Sequence, residues 1–134
     1  MPTAGLDHLN ILTADLEATI AFYEAVLELR AGPSPGDAYG YKGGWLFDAS
    51  DRPILHLVCY DPDHPYGEGR SPGASTNAIH HVAFRCSGFA EAQARIAATG
   101  IAHRVNDGIA GLRQIVLQDP NAITVEMNFT GEPA

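Results

Sequence analysis

Ala78-Ile-His-His-Val-Ala-Phe-Arg85 is a second writing of Gly5-Leu-Asp-His-Leu-Asn-Ile-Leu12, 73 positions earlier, and the match sets His81 on His8. Self-similarity at a fixed offset marks a repeated supersecondary unit. Each copy is followed by a helical stretch. Leu16, Ile20, Tyr23 and Leu27 recur at spacings that make one apolar stripe on a helix, with Thr13 or Asp15 as N-cap. Phe89, Ala92 and Ile96 make a shorter stripe that Gly100 stops. Strand-like runs come next in both halves. Trp45-Leu-Phe47, a turn at Ser50-Asp-Arg-Pro53 and Ile54 to Tyr60 correspond to Ile115-Val-Leu117, a turn at Asp119-Pro-Asn121 and Ile123 to Phe129. The offset has become 70, as expected of three extra residues in one middle loop, and it sets His56 on Glu126.

Each half therefore reads as strand, helix and about three strands, an α+β chain of two βαβββ modules. A length of 134 residues makes this one domain: a first module over 1–60, a linker over 61–77 and a second module over 78–130. The linker holds three Pro and three Gly with no apolar period, so His64 within it is expected to be a solvated loop histidine.

Hydrophobic residues at 46% against 18% charged supply enough apolar mass for a packed core. A net charge of −8 repels a phosphate backbone, so nucleic acid and anionic lipid are excluded as natural partners. No apolar run approaches the ~20 residues of a membrane span, and the N-terminus lacks a basic and apolar leader, so the expected location is cytoplasmic. Cys59 and Cys86 lie inside strand-like runs and read as buried free thiols.

Side chains alternate faces along a strand, so the apolar residues that must lie under a helix assign the faces of their polar neighbours. Leu9 and Ile11 send His8 and Asn10 to the helix-free face; Leu55, Leu57 and Cys59 send His56 there. Val82 and Phe84 do the same for His81, Ala83 and Arg85, and Val125, Met127 and Phe129 for Glu126 and Asn128. Three imidazoles and one carboxylate thus occupy matching places in two repeats. An isolated carboxylate on a partly enclosed face costs several kcal/mol or takes up a proton, and a metal ion removes that penalty. Imidazole and carboxylate suit Zn, Fe, Mn, Co and Ni, and two His with one carboxylate leave positions open for a substrate. The bland alternative is a hydrogen-bonded strand histidine at each place and a Glu126 paired with Arg85.

Weaker signals surround these four. His80 belongs to the helix side and nothing converges on His103. Tyr39, Tyr41 and Trp45 are strand core or a pocket wall, with core the expectation for Trp45. Arg113 and Gln114 either hold a substrate anion or are exposed. There is no Gly-rich phosphate loop, Cys-x-x-Cys pair or Gly-x-Ser-x-Gly elbow, so nucleotide and serine-hydrolase chemistry have nothing to rest on.

Taken together, Asp7-His-Leu-Asn-Ile11, Ala14-Asp-Leu16, Ala21-Phe-Tyr-Glu-Ala-Val-Leu27, His80-His-Val-Ala-Phe84 and Asp119-Pro-Asn-Ala-Ile-Thr-Val-Glu-Met-Asn128 resemble the vicinal oxygen chelate superfamily. That group includes glyoxalase I, bleomycin- and fosfomycin-resistance proteins, methylmalonyl-CoA epimerase and type I extradiol dioxygenases. The resemblance implies a U-shaped half-barrel around a divalent metal ion, with His8, His56, His81 and Glu126 as ligands, and a homodimer as the assembly. It further implies a small-molecule substrate that chelates the metal through two adjacent oxygens, with Glu126 and His56 in catalytic roles.

Within the family the resemblance favours a glyoxalase-like lyase or isomerase. A departure is visible at His56, where glyoxalase I usually carries Glu, or sometimes Gln, and a carboxylate there serves as proton shuttle, so His56 is either a fourth ligand or an acid/base beside the metal. His8, His81 and Glu126 fit an Fe(II) or Mn extradiol-type dioxygenase as well. A metal-free drug-binding protein of the bleomycin-resistance kind, using an acidic, aromatic-lined trap, is the third reading.

Overall fold

The computed structural model describes residues 2–33 and 42–132; Tyr39 and Tyr41 lie outside them. The first half runs β1 (Leu9–Thr13), α1 (Leu16–Leu27), β2 (Arg30–Pro33), β3 (Gly43–Phe47) and β4 (Pro53–Cys59). After a single 3-10 turn at Pro65–Gly67 comes the second: β5 (Val82–Cys86), α2 (Phe89–Thr99), β6 (His103–Ile109), β7 (Leu112–Gln118) and β8 (Thr124–Thr130). The strands form two four-stranded sheets of the same topology, β1-β4-β3-β2 and β5-β8-β7-β6. In each, the first and last strands of the βαβββ unit pair in parallel, which puts Asn10 beside His56 and Ala83 beside Glu126.

Local chemistry sets the helix ends. Asp15 is the N-cap of α1, its carboxylate accepting from the Ala18 N–H at 3.0 Å, and Glu28 ends the helix in the left-handed region. Gly88 offers α2 no side-chain cap, and Gly100, at φ 74°, closes it. The face of α1 that sinks deepest is Thr19, Phe22, Tyr23 and Val26, and the expected stripe residues Leu16, Ile20 and Leu27 are only partly buried beside it. The helix is apolar over more than one stripe, because it packs against α2 as well as its own sheet. Between β3 and β4 the backbones approach so closely that a Cβ on Gly43 would sit 1.9 Å from the Leu57 carbonyl oxygen, which only glycine tolerates.

Both helices and the helix-side faces of both sheets share one apolar core. Leu55 and Leu57 enter from the first sheet, Val125 and Met127 from the second, and Tyr23 and Ile96 from the helices. Each such side chain contributes about 1.5–3 kcal/mol of transfer free energy on burial. Polar bonds fasten the halves across this core. Arg95 donates from Nε to the Ala25 carbonyl and from its guanidinium to the Val26 carbonyl, both at 2.9 Å, meeting acceptors that the end of α1 leaves open. Arg113 points to the same side, its guanidinium 3.6 Å from the Phe89 ring centre, so it does not serve the helix-free face as a substrate-anion holder would. Cys59 and Cys86 are free and partly buried, and burial pushes the Cys86 thiol up to about 11. Among the described residues no helix is long and apolar enough to cross a membrane.

Candidate metal centre

His8 stands immediately before β1, and its Nδ1–H donates to Asp7 Oδ1 at 2.6 Å. In the neutral ring that bond leaves the lone pair on Nε2. His56 sits at the middle of β4, between Asn10 on β1 and Trp45 on β3. Trp45 lies flat on it, ring centres 4.2 Å apart and planes 7° from parallel, and the same indole meets His8 edge-on at 4.8 Å. The sequence pointed to Trp45 as core. It lies instead on the helix-free face, because alternation along β3 gives the helix side to Leu46, which is fully buried. The two imidazole centres are 6.2 Å apart.

His56 is 6% exposed. Burial, followed by the neighbouring His8 charge, holds its pKa below the usual imidazole value, so the ring is neutral at pH 7. The Asn10 amide meets His56 Nδ1 at 3.0 Å. With that amide nitrogen donating, the ring proton is on Nε2, which makes His56 a hydrogen-bond donor there.

The second module repeats the plan with a carboxylate. His81 immediately precedes β5, and its Nε2 is 3.4 Å from Glu126 Oε2. Its Nδ1 lies 2.9 Å from His80 Nδ1, so the residue before the ring holds Nδ1 here as Asp7 does in the first module. His80, placed by alternation on the helix side, is exposed and in contact with His81. Glu126 Oε1 accepts from Gln114 Nε2 at 2.7 Å. The sequence-based alternative that ties Glu126 to Arg85 is not realised: Arg85 lies in register with Asn128, one row away. His103 bonds the Ile101 carbonyl, and His64 caps the 3-10 turn by accepting from the Tyr66 N–H.

The four side chains arrive two and two. Each pair lies on the helix-free face of its own sheet, and among the described residues no three His, Cys, Asp or Glu converge on one point. The donor set nonetheless suits a divalent ion. The His81–Glu126 spacing exceeds the 2.7–3.2 Å of an N–H···O hydrogen bond. It matches the roughly 3.4 Å between two ligands on a tetrahedral ion at about 2.0–2.1 Å from each. Beside the pairs stand two exposed apolar residues at equivalent places in the repeat, Leu6, 83% exposed, and Ile79, 61% exposed.

A model of the Glyoxalase/Bleomycin resistance protein/Dioxygenase superfamily matches residues 5–127. The chain belongs to that superfamily. Solved structures share the superfamily fold over nearly the whole chain. A glyoxalase/dioxygenase from Nostoc punctiforme is 19% identical at a TM-score of 0.70, covering 96% of this chain and 92% of its own. Lactoylglutathione lyase from Agrobacterium tumefaciens is 20% identical at 0.63, covering 96% of each chain. A variant of the genomically encoded fosfomycin resistance protein of Listeria monocytogenes, solved with Mn(II) and 1S,2S-dihydroxypropylphosphonic acid, is 20% identical at 0.64, covering 94% and 92%. No curated protein sequence matches the chain. These likenesses establish the two-module α+β fold that the repeat and the resemblance implied.

Proposed function

We propose that this superfamily member is a metal-dependent enzyme of glyoxalase type that works as a homodimer. His8 of one copy and His81 and Glu126 of the partner subunit hold one divalent ion, and His56 moves a proton beside it. The observation that carries this reading is the two-and-two arrangement: half of a candidate ligand set on each sheet, beside β1 and β5, which are edge strands among the described residues. The exposed Leu6 and Ile79 mark the same ends of those strands as surfaces to be covered by a second copy.

When bound, a divalent ion supplies Lewis acidity to two adjacent oxygens of a small substrate. The protein's own groups do the rest. Asp7 orients His8 through Nδ1 and leaves Nε2 as the donor atom. Asn10 and Trp45 hold the neutral His56 ring, which acts first as a base, taking a proton up to become imidazolium and then returning it. Zn, Ni, Fe, Mn and Co all suit the donors. Elemental analysis of freshly purified protein, with its mass in solution, is expected to give one transition-metal ion per chain in a dimer, with turnover of hemithioacetals lost on chelation and restored by metal. A metal-free monomer inert to every added ion would overturn the proposal.

One observation favours a second reading. With His56 acting as a donor, the remaining set is two imidazoles and one carboxylate, the facial arrangement of Fe(II) oxygenases. Oxygen uptake with catechols after anaerobic iron loading would select it, since the glyoxalase reaction consumes no oxygen.

A further inference from the structure

Gln114 lies on β7, two residues from Val116, the cross-strand partner of Glu126, and so on the same helix-free face. Its side-chain amide is fully committed. Nε2 donates to Glu126 Oε1 at 2.7 Å and to Asn128 Oδ1 at 2.9 Å, and its Oε1 accepts from Asn106 Nδ2 at 2.8 Å. The reverse orientation of the amide would set its oxygen against a carboxylate and a carbonyl oxygen, so the bonds define which end faces Glu126. Asn106, Gln114 and Asn128 are cross-strand partners in register, and the three amides form one row over β6, β7 and β8. Glu126 therefore has one oxygen fastened to the sheet and the other directed at His81.

From this geometry we infer that Gln114 is the positioning residue of the candidate metal centre. It anchors Glu126 through Oε1 so that the carboxylate offers the ion Oε2 alone, and this leaves a coordination position open for a chelating substrate. The inference rests on the proposed metal-dependent reading. A carboxylate free to turn presents both oxygens or neither, and outer partners of metal ligands are worth roughly 10- to 100-fold in metal affinity when removed.

The test is Mn(II) affinity of the dimer for the parent, Gln114→Met, Glu126→Gln and the double variant. Gln114→Met keeps the side chain's length and removes its three bonds. Mn(II) binding is expected to weaken about 10- to 100-fold, with the melting temperature of the metal-free protein little changed. In the Glu126→Gln background the same change is expected to add nothing, because Gln114 acts through that carboxylate. Parent-like Mn(II) affinity in Gln114→Met, or effects of the two substitutions that multiply, would overturn the inference while leaving the metal site standing. A parent that binds no Mn(II), or any other divalent ion, would remove the metal reading and this inference with it. Should Gln114→Met fail to fold, Asn106→Ala decides, since it cuts only the outer anchor of the row: weakened Mn(II) binding supports the inference and unchanged binding contradicts it.

Discussion

Tyr23 Oη donates to Asp119 Oδ2 at 2.9 Å, joining α1 of the first module to the β7–β8 turn of the second across 96 positions of sequence. Burial, reinforced by the Asp119 carboxylate, raises the Tyr23 hydroxyl above the usual phenol range, so it remains a donor at any physiological pH. Asp119 is itself buried and also accepts from the Asn121 and Ile123 N–H groups, which fixes the turn that launches the Glu126 strand. Tyr23→Phe removes one donor from a buried carboxylate and is expected to cost about 1–3 kcal/mol, measured by chemical denaturation. A loss below ~0.5 kcal/mol, the scatter of ordinary surface changes, would contradict this role.

The end of the chain caps a helix that cannot cap itself. Glu132 accepts from the Gly88 N–H at 2.7 Å through Oε2 and from the Phe89 N–H at 2.8 Å through Oε1, placing a carboxylate on the N-terminus of α2. Glu132→Ala is expected to destabilise the protein by about 1–2 kcal/mol, with Glu132→Gln intermediate because it keeps an acceptor and loses the charge. Equal stability of all three proteins would refute the cap.

Ala122 is held at φ 64° in the turn after Pro120, a conformation in which an L side chain crowds the following carbonyl. Ala122→Gly is expected to stabilise the protein by about 1 kcal/mol, read as a raised melting temperature. A lowered one would show that the turn depends on the methyl group.

Asp48 holds the β3–β4 turn, accepting from the Arg52 and Ser50 N–H groups and from the Arg52 side chain. These bonds, the Arg52 N–H foremost, lower its pKa below the usual carboxylate value. Its contribution is therefore complete above the unfolded carboxylate range, about pH 4, and is lost as the pH falls through the lower folded value. Asp48→Asn is expected to lower stability at pH 7 and to flatten the decline below pH 4. An unchanged acid limb would contradict the assignment.

The two roles open to His56 separate in kinetics. As a proton shuttle beside the ion, its replacement by Gln is expected to lower turnover roughly 10²- to 10⁴-fold with metal content retained. Loss of the metal together with activity would make it a ligand.

Much of the fold was legible because strand alternation and a repeated His-bearing strand are both local signals. Leu55 and Leu57 had to face a helix, and that alone placed His56 opposite. The meeting of His81 with Glu126 was legible for the same reason, since the parallel pairing of the first and last strands is implied by the βαβββ order. What local pattern could not carry was anything set by the packing of one module on the other. The deepest face of α1 turned from Leu16 and Leu27 to Phe22 and Val26 because α2 covers it, and Tyr23 found its partner near the opposite end of the chain. Gln114 and Arg113 looked alike from sequence as adjacent polar residues. Alternation on β7 sent one to Glu126 and the other to the Phe89 ring. The separation of the four candidate ligands into two pairs followed from a core that both helices share, a property of the assembled chain.

That separation sets the most direct test, a mixing experiment on the metal site. His8→Ala and His81→Ala dimers, each expected to bind no ion, are co-refolded so that hybrid dimers form. A site built from the first module of one copy and the second module of the other predicts that hybrids regain one ion per dimer, because one of their two sites inherits both native halves. Hybrids that form and still bind nothing would place each site within a single chain and contradict the account.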